Sequence, residues 1–412
     1  MPEEDIYGSK KRYEKFMLNI DDLTKLTSKV AKYYCKNKVN LQYFRQFGKI
    51  FDSRDTSYIR RLRLLGTLRM LSFATTKDLK DCEREDINEI VAFSHTMNKS
   101  PKTKSDFIRD IKFMWKQLFP ERDERGRIDE MITPYPVRHL SPKIDKSREV
   151  RRNDKLTLFE YERIIEYFSD NPQIQAYITL SVESLTRPQE LCYTKISDVE
   201  INEEYAKIWI SSHGKEGVKF LQCIDSFPYF IKWYSKHPFK GDKDAYLFFS
   251  NGSKDRPITP DNMNKKLKLA CKKLNIDKKI TPYSLKRNGV TFSRLRGDSD
   301  VDIQHRAGWT STKQLQTYDM SGAEDTFKRE LAKRGMIDKK EFEDLSPSTK
   351  TCICGKTIGF SEKICIHCNR LTDREVIKSN RAAEKEIMEV FSYAVKHPEK
   401  SFIDIMDEFR KT

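Results

Sequence analysis

The sequence has no hydrophobic run long enough to cross a membrane, since no window approaches about 18 consecutive apolar residues. Its first stretch, MPEEDIYGSKKRYEKF, is charged and lacks the apolar centre of a signal peptide. Internal repeats and low-complexity tracts are missing too, which excludes repeat architectures. With 37% hydrophobic, 34% charged and 11% aromatic residues, the composition predicts a soluble globular chain, which we expect to be cytoplasmic and without membrane contact.

A cysteine spacing typical of disulfide frameworks is also absent. Five of the nine cysteines are scattered singly, which favours a reducing compartment. The other four lie in CICGKTIGFSEKICIHC, namely Cys352, Cys354, Cys365 and Cys368. Four thiolates on two short knuckles are what a tetrahedral structural Zn²⁺ requires, so we expect a small metal-stabilised ribbon at residues 346–372. Free thiols are the alternative, and His367 is a possible substitute ligand.

Positive charge is in excess. The formal net charge is +16 over 412 residues, a length that allows two or three domains. From Asn369 onward there are nine basic and nine acidic residues, so the excess lies upstream. A basic surface of this extent indicates a polyanionic partner, of which nucleic acid is the commonest, although solubility alone is the alternative.

Residues 1–135 predict an all-helical domain. In DTSYIRRLRLLGTLRMLSF, apolar residues from Ile59 to Met70 fall on one face and the arginines mostly on the other. In SPKTKSDFIRDIKFMWKQLFP, a stripe from Phe107 to Leu118 is stopped by Pro120.

Residues 136–155 lose this periodicity and are basic, which predicts an interdomain linker. Thr157 and Glu160 then form a capping-box pattern that opens a second domain, residues 156–335. Here EYAKIWISSHGKEGVKFLQCI predicts a hairpin, with alternation through Ile208 and Ile210 that resumes at Val218, Phe220 and Gln222. We expect a mainly helical α+β domain with a small antiparallel sheet, and an amphipathic helical tail at residues 373–412.

Five local features of the second domain carry potential chemistry. Arg187 precedes Pro188 at a helix start, where a guanidinium and backbone N–H groups together bind anions. Lys215 lies between two glycines at the hairpin tip. Thr281 and Pro282 predict the start of a helix, and Tyr283, Lys286 and Arg287 fall in its first two turns. The last two features are Trp309 and Tyr318, further along the chain.

The order and spacing of these features resemble the tyrosine recombinases, the phage-integrase and Xer-type site-specific recombinases. LTRPQEL and HGKEGVK are similar to the first two family boxes, and PYSLKRNGVTFSRLRGDSDVDIQHRAGW runs from the third box to the fourth without a gap. Tyr318 follows Trp309 by nine residues, as the family nucleophile follows its His or Trp. The resemblance covers residues 157 to 330 and, more faintly, the helical domain, which is similar to a core-binding domain.

The resemblance implies an enzyme that cleaves and rejoins double-stranded DNA through a 3′-phosphotyrosine at Tyr318, with cations around the phosphate. It implies Lys215 as general acid and neither a catalytic metal nor a nucleotide. Tetrameric assembly on paired sites and an archaeal or viral prokaryotic source are further expectations. An inactive DNA-binding protein of this fold and a type IB topoisomerase are the alternatives.

The third box departs from the family pattern. Tyr283 stands at the position of its His, Lys286 at that of its second Arg, and Arg287 one residue later. Either Lys286 supplies the charge with Tyr283 as hydrogen-bonding partner, or a helix shift brings Arg287 to the phosphate; lysine lacks the bidentate fork. Nine residues on one straight helix would put Trp309 and Tyr318 on opposite faces, so we predict a chain break in TSTKQ.

Overall fold

The protein is described by a computed structural model. It covers residues 7–25, 33–97, 99–129, 131–143, 153–210, 219–337, 347, 349–365, 367–372, 385 and 387–397. The chain divides into two compact units, residues 1–152 and 153–412. Helices dominate both units, and the strands form only small antiparallel sheets, as the sequence predicts.

The first unit is all helical apart from one isolated bridge in its described residues. Its α-helices are α1 Ser9–Leu18, α2 Leu41–Ser53, α3 Tyr58–Ala74, α4 Arg84–Thr96, α5 Pro101–Leu118 and α6 Tyr135–Arg138. The stripe on α5 is confirmed, because Phe107, Ile111 and Met114 are buried and the helix ends at Leu118. These helices enclose an apolar core of their own.

The predicted face of α3 is partly wrong. Ile59 is half exposed, whereas Arg61 is buried. The Arg61 guanidinium donates to Asp52 at 2.5 Å and lies 4.8 Å from the Tyr58 ring centroid. A guanidinium can be buried in this way because a carboxylate and aromatic faces replace its water.

The second unit begins with helices that surround one buried helix. Its α-helices are α7 Leu158–Tyr167, α8 Pro172–Glu183, α9 Pro188–Cys192, α10 Phe227–Ser235, α11 Pro260–Lys273, α12 Pro282–Arg296, α13 Asp300–Ala307, α14 Leu315–Tyr318 and α15 Ala323–Lys333. Its strands are β1 Val199–Ile201, β2 Ala206–Trp209, β3 Phe220–Cys223, β4 Phe249–Ser250, β5 Ser253–Pro257, β6 Lys350–Thr351 and β7 Thr357–Ile358. Every residue of α8 from Ile174 to Val182 is buried, so this helix is the centre of the core.

The predicted hairpin is present as an antiparallel β1-β2-β3 sheet in which Trp209 pairs with Phe220. The expected phase of its second strand is wrong. Leu221 and Cys223 are buried, whereas Phe220 is 38% exposed. The turn between the two strands sets which residues of β3 face the core. The alternation of apolar residues along β3 alone does not reveal this register. The hairpin tip with Lys215 lies outside the described residues.

The start of the second unit includes residues that the sequence assigned to the linker. Asn153 bonds to the Asp277 carbonyl, and Asp154 is buried, so the unit begins before residue 156. The predicted capping box follows, since the Thr157 hydroxyl accepts from the Glu160 N–H and the Glu160 carboxylate accepts from the Thr157 N–H.

The four-cysteine segment packs on the second unit through one aromatic residue. Phe360 is only 4% exposed and belongs to the main core, where its ring stacks on Tyr161 at 5.4 Å. The Tyr229 hydroxyl lies 2.6 Å from the Ser361 hydroxyl and accepts from the Ser361 N–H at 3.0 Å. Gly359 has no room for a Cβ, which would lie 2.4 Å from the Tyr229 ring. The segment is therefore anchored on α7 and α10, which carry these two tyrosines.

Residues 387–396, within the segment where a helical tail is expected, are helical. Ile387 and Phe391 are both more than 60% exposed, and Ile377 lies outside the described residues. In the described part of the chain, no helix combines the length and the apolar character needed to cross a membrane.

Candidate active site

Arg187 is held at the start of α9 by an adjacent carboxylate. Glu190 accepts the Arg187 backbone N–H at 3.1 Å and its guanidinium at 3.4 Å, while Thr186 donates to the same carboxylate. Arg187 and Glu190 are both buried. A short proline-started helix thereby fixes a cationic side chain that would otherwise sample many rotamers.

Lys286 is carried by α12, which begins as the sequence predicts. The Thr281 hydroxyl accepts from the Ser284 N–H, and Pro282 is the first helical residue. Gly289 lets α12 approach α8 at backbone contact, because a Cβ there would lie 2.0 Å from the Val182 carbonyl oxygen. The Lys286 side chain is fully buried on this well-fixed helix.

Trp309 follows the end of α13. Gly308 takes the left-handed conformation at φ 69°, and the Trp309 N–H then closes the helix on the Gln304 carbonyl. The indole is 4% exposed. Its Nε1 donor has no hydrogen-bond partner within the described parts of the chain. A buried donor left without a partner is costly, and an incoming oxygen would satisfy it.

Tyr318 is reached through the predicted break. A 3₁₀ turn at Thr312–Gln314 separates α13 from the single-turn α14, which ends at Tyr318. Two contacts hold the residues after Tyr318 against α12. The Thr291 hydroxyl accepts the Met320 N–H at 3.0 Å, and the Arg294 guanidinium lies 3.6 Å from the Asp319 carboxylate.

Lys286, Trp309 and Tyr318 meet in one cluster. The Trp309 and Tyr318 ring centroids are 5.1 Å apart, with a 31° angle between the ring planes. The Lys286 ammonium lies 5.3 Å from the first centroid and 5.2 Å from the second. These distances are within cation–π range, so the ammonium is stabilised beside the phenol in a buried position. Leu185 and Val290 belong to the same buried apolar cluster as Trp309, and the Tyr318 ring packs against this cluster.

Tyr283 bridges α12 and α9. Its hydroxyl donates to the Gln189 side-chain oxygen at 3.2 Å. Burial raises the pKa of Tyr283; Arg187 opposes this rise, and the neighbouring Tyr318 and Glu190 add to it. Tyr283 is therefore influenced electrostatically by both Arg187 and Tyr318. At neutral pH it is a protonated donor rather than a charge.

Arg287 points to a different partner. Its guanidinium pairs with the buried Asp154 carboxylate and contacts the Ser284 hydroxyl. The adjacent Asn288 accepts the Leu156 N–H and donates to the Asp154 carbonyl. The sequence left open whether Lys286 or Arg287 serves the phosphate. In the structure Lys286 lies beside Tyr318, whereas Arg287 binds Asp154 at the start of the unit.

Lys219, which the sequence interpretation passed over, also lies near the site. Its ammonium donates to the Ala307 carbonyl at 2.9 Å. Burial lowers the pKa of Lys219 to about 8, with Glu190 opposing and Arg187 adding to the shift. The signal was available, because Lys219 follows Lys215 by four residues within HGKEGVK. Gln189 was passed over as well, although it directly follows the Arg187-Pro188 pair.

The arrangement suits an anion with developing negative charge. Arg187 and Lys219 are linked electrostatically, Lys286 lies beside the phenol, and the Trp309 indole supplies a donor. Fixed donors in a partly dry site stabilise a phosphoryl group without needing to reorganise. A phenol, which lies in the same cluster, has the chemistry of a nucleophile.

The cysteine cluster is a second, separate site. The sulfur atoms of Cys352, Cys354, Cys365 and Cys368 all lie within 4.8 Å of one another. Two of the sulfur pairs are 3.6 and 3.7 Å apart. Tetrahedral Zn²⁺ with Zn–S bonds of about 2.3 Å requires sulfur atoms roughly 3.8 Å apart, so the thiol set fits such a metal. The four cysteines can therefore hold a metal ion.

Comparisons with known proteins concern the fold of this unit and of the chain. Residues 154–324 match the model of the Phage integrase family. No curated protein sequence matches closely enough to count as a relative. Among solved structures, the fold is similar to the Tn1549 transposon integrase in complex with a circular intermediate DNA, at 15% identity and TM-score 0.54, over 71% of this chain and 99% of that one.

Two lambda integrase structures are similar as well. One is a dimer bound to a COC′ core site, at 17% identity and TM-score 0.53, with coverage of 68% of this chain and 96% of that one. The other is a tetramer bound to a Holliday junction, at 17% identity and TM-score 0.52, with coverage of 68% and 76%. The residues of the active-site cluster that the structure describes all lie within residues 154–324, the segment that matches the Phage integrase family model.

Proposed function

We propose that the protein is a site-specific recombinase that cleaves and rejoins double-stranded DNA through a 3′-phosphotyrosine at Tyr318. The observation that carries the proposal is the cluster of Lys286, Trp309 and Tyr318 within the segment that matches the integrase family. The similar Tn1549 and lambda integrase structures contain DNA, and the basic charge of this chain suits the same partner.

In the first step the Tyr318 hydroxyl oxygen attacks the phosphorus, the Oη–P bond forms and the P–O5′ bond breaks. The phenol loses its proton to solvent or a base, and the leaving 5′ oxygen gains one. Arg187, Lys286 and the Trp309 indole stabilise the nonbridging oxygens as their charge grows. The phosphotyrosine conserves the phosphodiester, so a 5′ hydroxyl from another strand reverses the reaction and joins the strands.

Lys215 is proposed as the general acid for the leaving oxygen, with Tyr283 as a neutral hydrogen-bond donor to the phosphate. Arg287 is assigned to the Asp154 pair rather than to the phosphate, because its guanidinium already neutralises a buried carboxylate. These assignments require neither a metal nor a nucleotide in the cleavage step.

Residues 1–140 are proposed as a DNA-binding domain, since Val137 and Leu140 belong to its core, and residues 153–335 as the catalytic domain, with residues 141–152 as the linker between them. Synapsis of paired sites requires several copies, and the similar lambda integrase tetramer supports a tetramer here. We further propose residues 346–372 as a structural zinc ribbon and residues 373–412 as a helical tail. A DNA target and the Tyr283 and Lys286 replacements favour the cytoplasm of a prokaryote, with an archaeal or viral source.

A nicked suicide duplex tests the proposal, because loss of a short 5′ fragment traps the covalent intermediate. The wild type should form a protein–DNA adduct, whereas Tyr318→Phe should form none and still bind the duplex. Absence of any wild-type adduct would leave a DNA-binding protein of the same fold. Relaxation of a supercoiled plasmid without a paired recombination site would point instead to a topoisomerase. Metal analysis should find about one zinc per chain and none after all four cysteines become serine.

A further inference from the structure

Lys219 connects two elements that are distant in sequence. Its backbone carbonyl accepts the Ile210 N–H at 3.0 Å, so the residue belongs to the base of the β2-β3 hairpin. Its ammonium donates to the Ala307 carbonyl at 2.9 Å, at the last residue of α13. One side chain thus joins the sheet to the helix that precedes Trp309.

The last turn of α13 is held from outside by the Arg306 side chain, which binds Ser293 at 3.0 Å and Asp298 at 2.7 Å, but these contacts leave the carbonyls at the helix end to other partners. Helix C-termini leave carbonyls without helical partners. The Gln304 and His305 carbonyls are satisfied by the N–H groups of Trp309 and Gly308, at 2.9 and 3.0 Å. Lys219 satisfies the Ala307 carbonyl, and a cation at this end also interacts favourably with the helix dipole.

Only Gly308 separates Ala307 from Trp309. Any shift of the Ala307 peptide therefore moves the indole, whose Nε1 has no partner within the described residues and is available to an oxygen of the substrate. The charges of Glu190 on α9 and of Arg187 just before this helix also act on the pKa of Lys219.

We propose that Lys219 is a positioning residue for strand cleavage, which acts through Trp309 by holding the carbonyl at the end of α13. The inference rests on the proposed function, since it concerns the rate of the same cleavage step. It assigns a role to the second lysine of HGKEGVK that is distinct from proton donation by the first.

A double-mutant cycle on single-turnover cleavage of the suicide duplex, at saturating DNA, tests the inference. Lys219→Met should slow adduct formation roughly 10- to 100-fold, because a small misplacement of a donor is enough to cost this much. Trp309→Phe removes the indole donor and should slow it at least as much. The double variant should be about as slow as Trp309→Phe alone, since both changes remove one function.

Lys207→Met is the matched control. Lys207 is an exposed lysine of the neighbouring strand β2, and its variant should cleave at the wild-type rate. Lys219→Arg should stay within a few-fold of wild type, because its guanidinium can reach the same carbonyl. If Lys219→Met does not fold, Lys219→Gln replaces it in the cycle, since the shorter neutral amide loses the charge.

Multiplicative losses in the double variant, or a Lys219→Met rate equal to that of Lys207→Met, would overturn the inference and leave the proposed function intact. A wild-type protein without any adduct would overturn the proposed function and the inference with it. Cleavage rates of the two single variants and the double variant therefore separate a positioning role from a general loss of stability, which would add independently.

Discussion

Lys286 and Arg287 are neighbours on α12 with different surroundings. Lys286 contacts the Trp309 and Tyr318 rings, and Arg287 pairs with Asp154, which is 4% exposed in its side chain. We predict that Lys286→Met reduces adduct formation at least 100-fold, because it removes the cation beside Tyr318, the proposed nucleophile. The thermal midpoint should change little, since an apolar side chain of similar length fills a buried site.

Arg287→Met should give the reverse pattern. It leaves the Asp154 carboxylate buried without its guanidinium, at a cost of about 3 to 5 kcal/mol in the free energy of unfolding. Chemical denaturation measures this loss, and Asp154→Asn with Arg287→Met should recover part of it. A folded Arg287→Met variant that loses cleavage as completely as Lys286→Met would show that Arg287, not Lys286, serves the phosphate.

The pKa of Lys219 predicts a dependence of stability on pH. It is lowered from 10.5 to about 8 in the folded protein, chiefly by burial. Between these values the unfolded chain binds more protons than the folded one, so stability rises with pH in this window. Relative to Lys219→Met, the free energy of unfolding of the wild type should increase by roughly 2 to 3 kcal/mol from pH 8 to pH 10.5. Parallel pH curves for the two proteins would contradict this.

At the scale of elements, residues 359–362 insert the Phe360 side chain into the core of the second unit. Phe360→Ala should lower the free energy of unfolding by about 3 to 5 kcal/mol, because a fully packed aromatic ring leaves a cavity between Tyr161 and Tyr229. Ile353→Ala is a control on the same ribbon, and its exposed side chain should matter by less than about 0.5 kcal/mol. Denaturant titration of both variants checks the difference.

Much of this element layout could be predicted because its signals are local. The capping residues Thr157 and Thr281 give two helix starts, and the stripe on α5 gives its buried face. The chain break before Tyr318 follows from helical geometry, since nine residues on one helix cannot bring two rings together.

The remainder depends on partners far away in sequence. Asp154 meets Arg287 across 133 residues, and Lys219 meets Ala307 across 88. Nothing local distinguishes these charged residues from solvated ones, and the same holds for the buried Arg61 of the first unit. The phase of β3 was missed because alternation defines two faces without saying which one is covered.

At the scale of the whole molecule, the two compact units have separate apolar cores. We predict two unfolding transitions in calorimetry, of which only one responds to a metal chelator. Metal removal should loosen the cysteine ribbon and withdraw Phe360, so the transition of residues 153–412 should move to lower temperature. The transition of residues 1–152 should stay in place. An equal shift of both transitions, or of neither, would contradict a metal-dependent anchor.

The position of Phe360 also has a consequence for biosynthesis. Domains generally fold as units, from the amino terminus onward, while the chain is being made. The core that begins near residue 153 includes a residue more than 200 positions later, so the contacts of Phe360 can form only after the ribbon has left the ribosome. Tyr318, the proposed nucleophile, is synthesised before that point. If the four cysteines hold the proposed zinc, the supply of metal during translation would affect the yield of folded protein as well as the stability of the finished one.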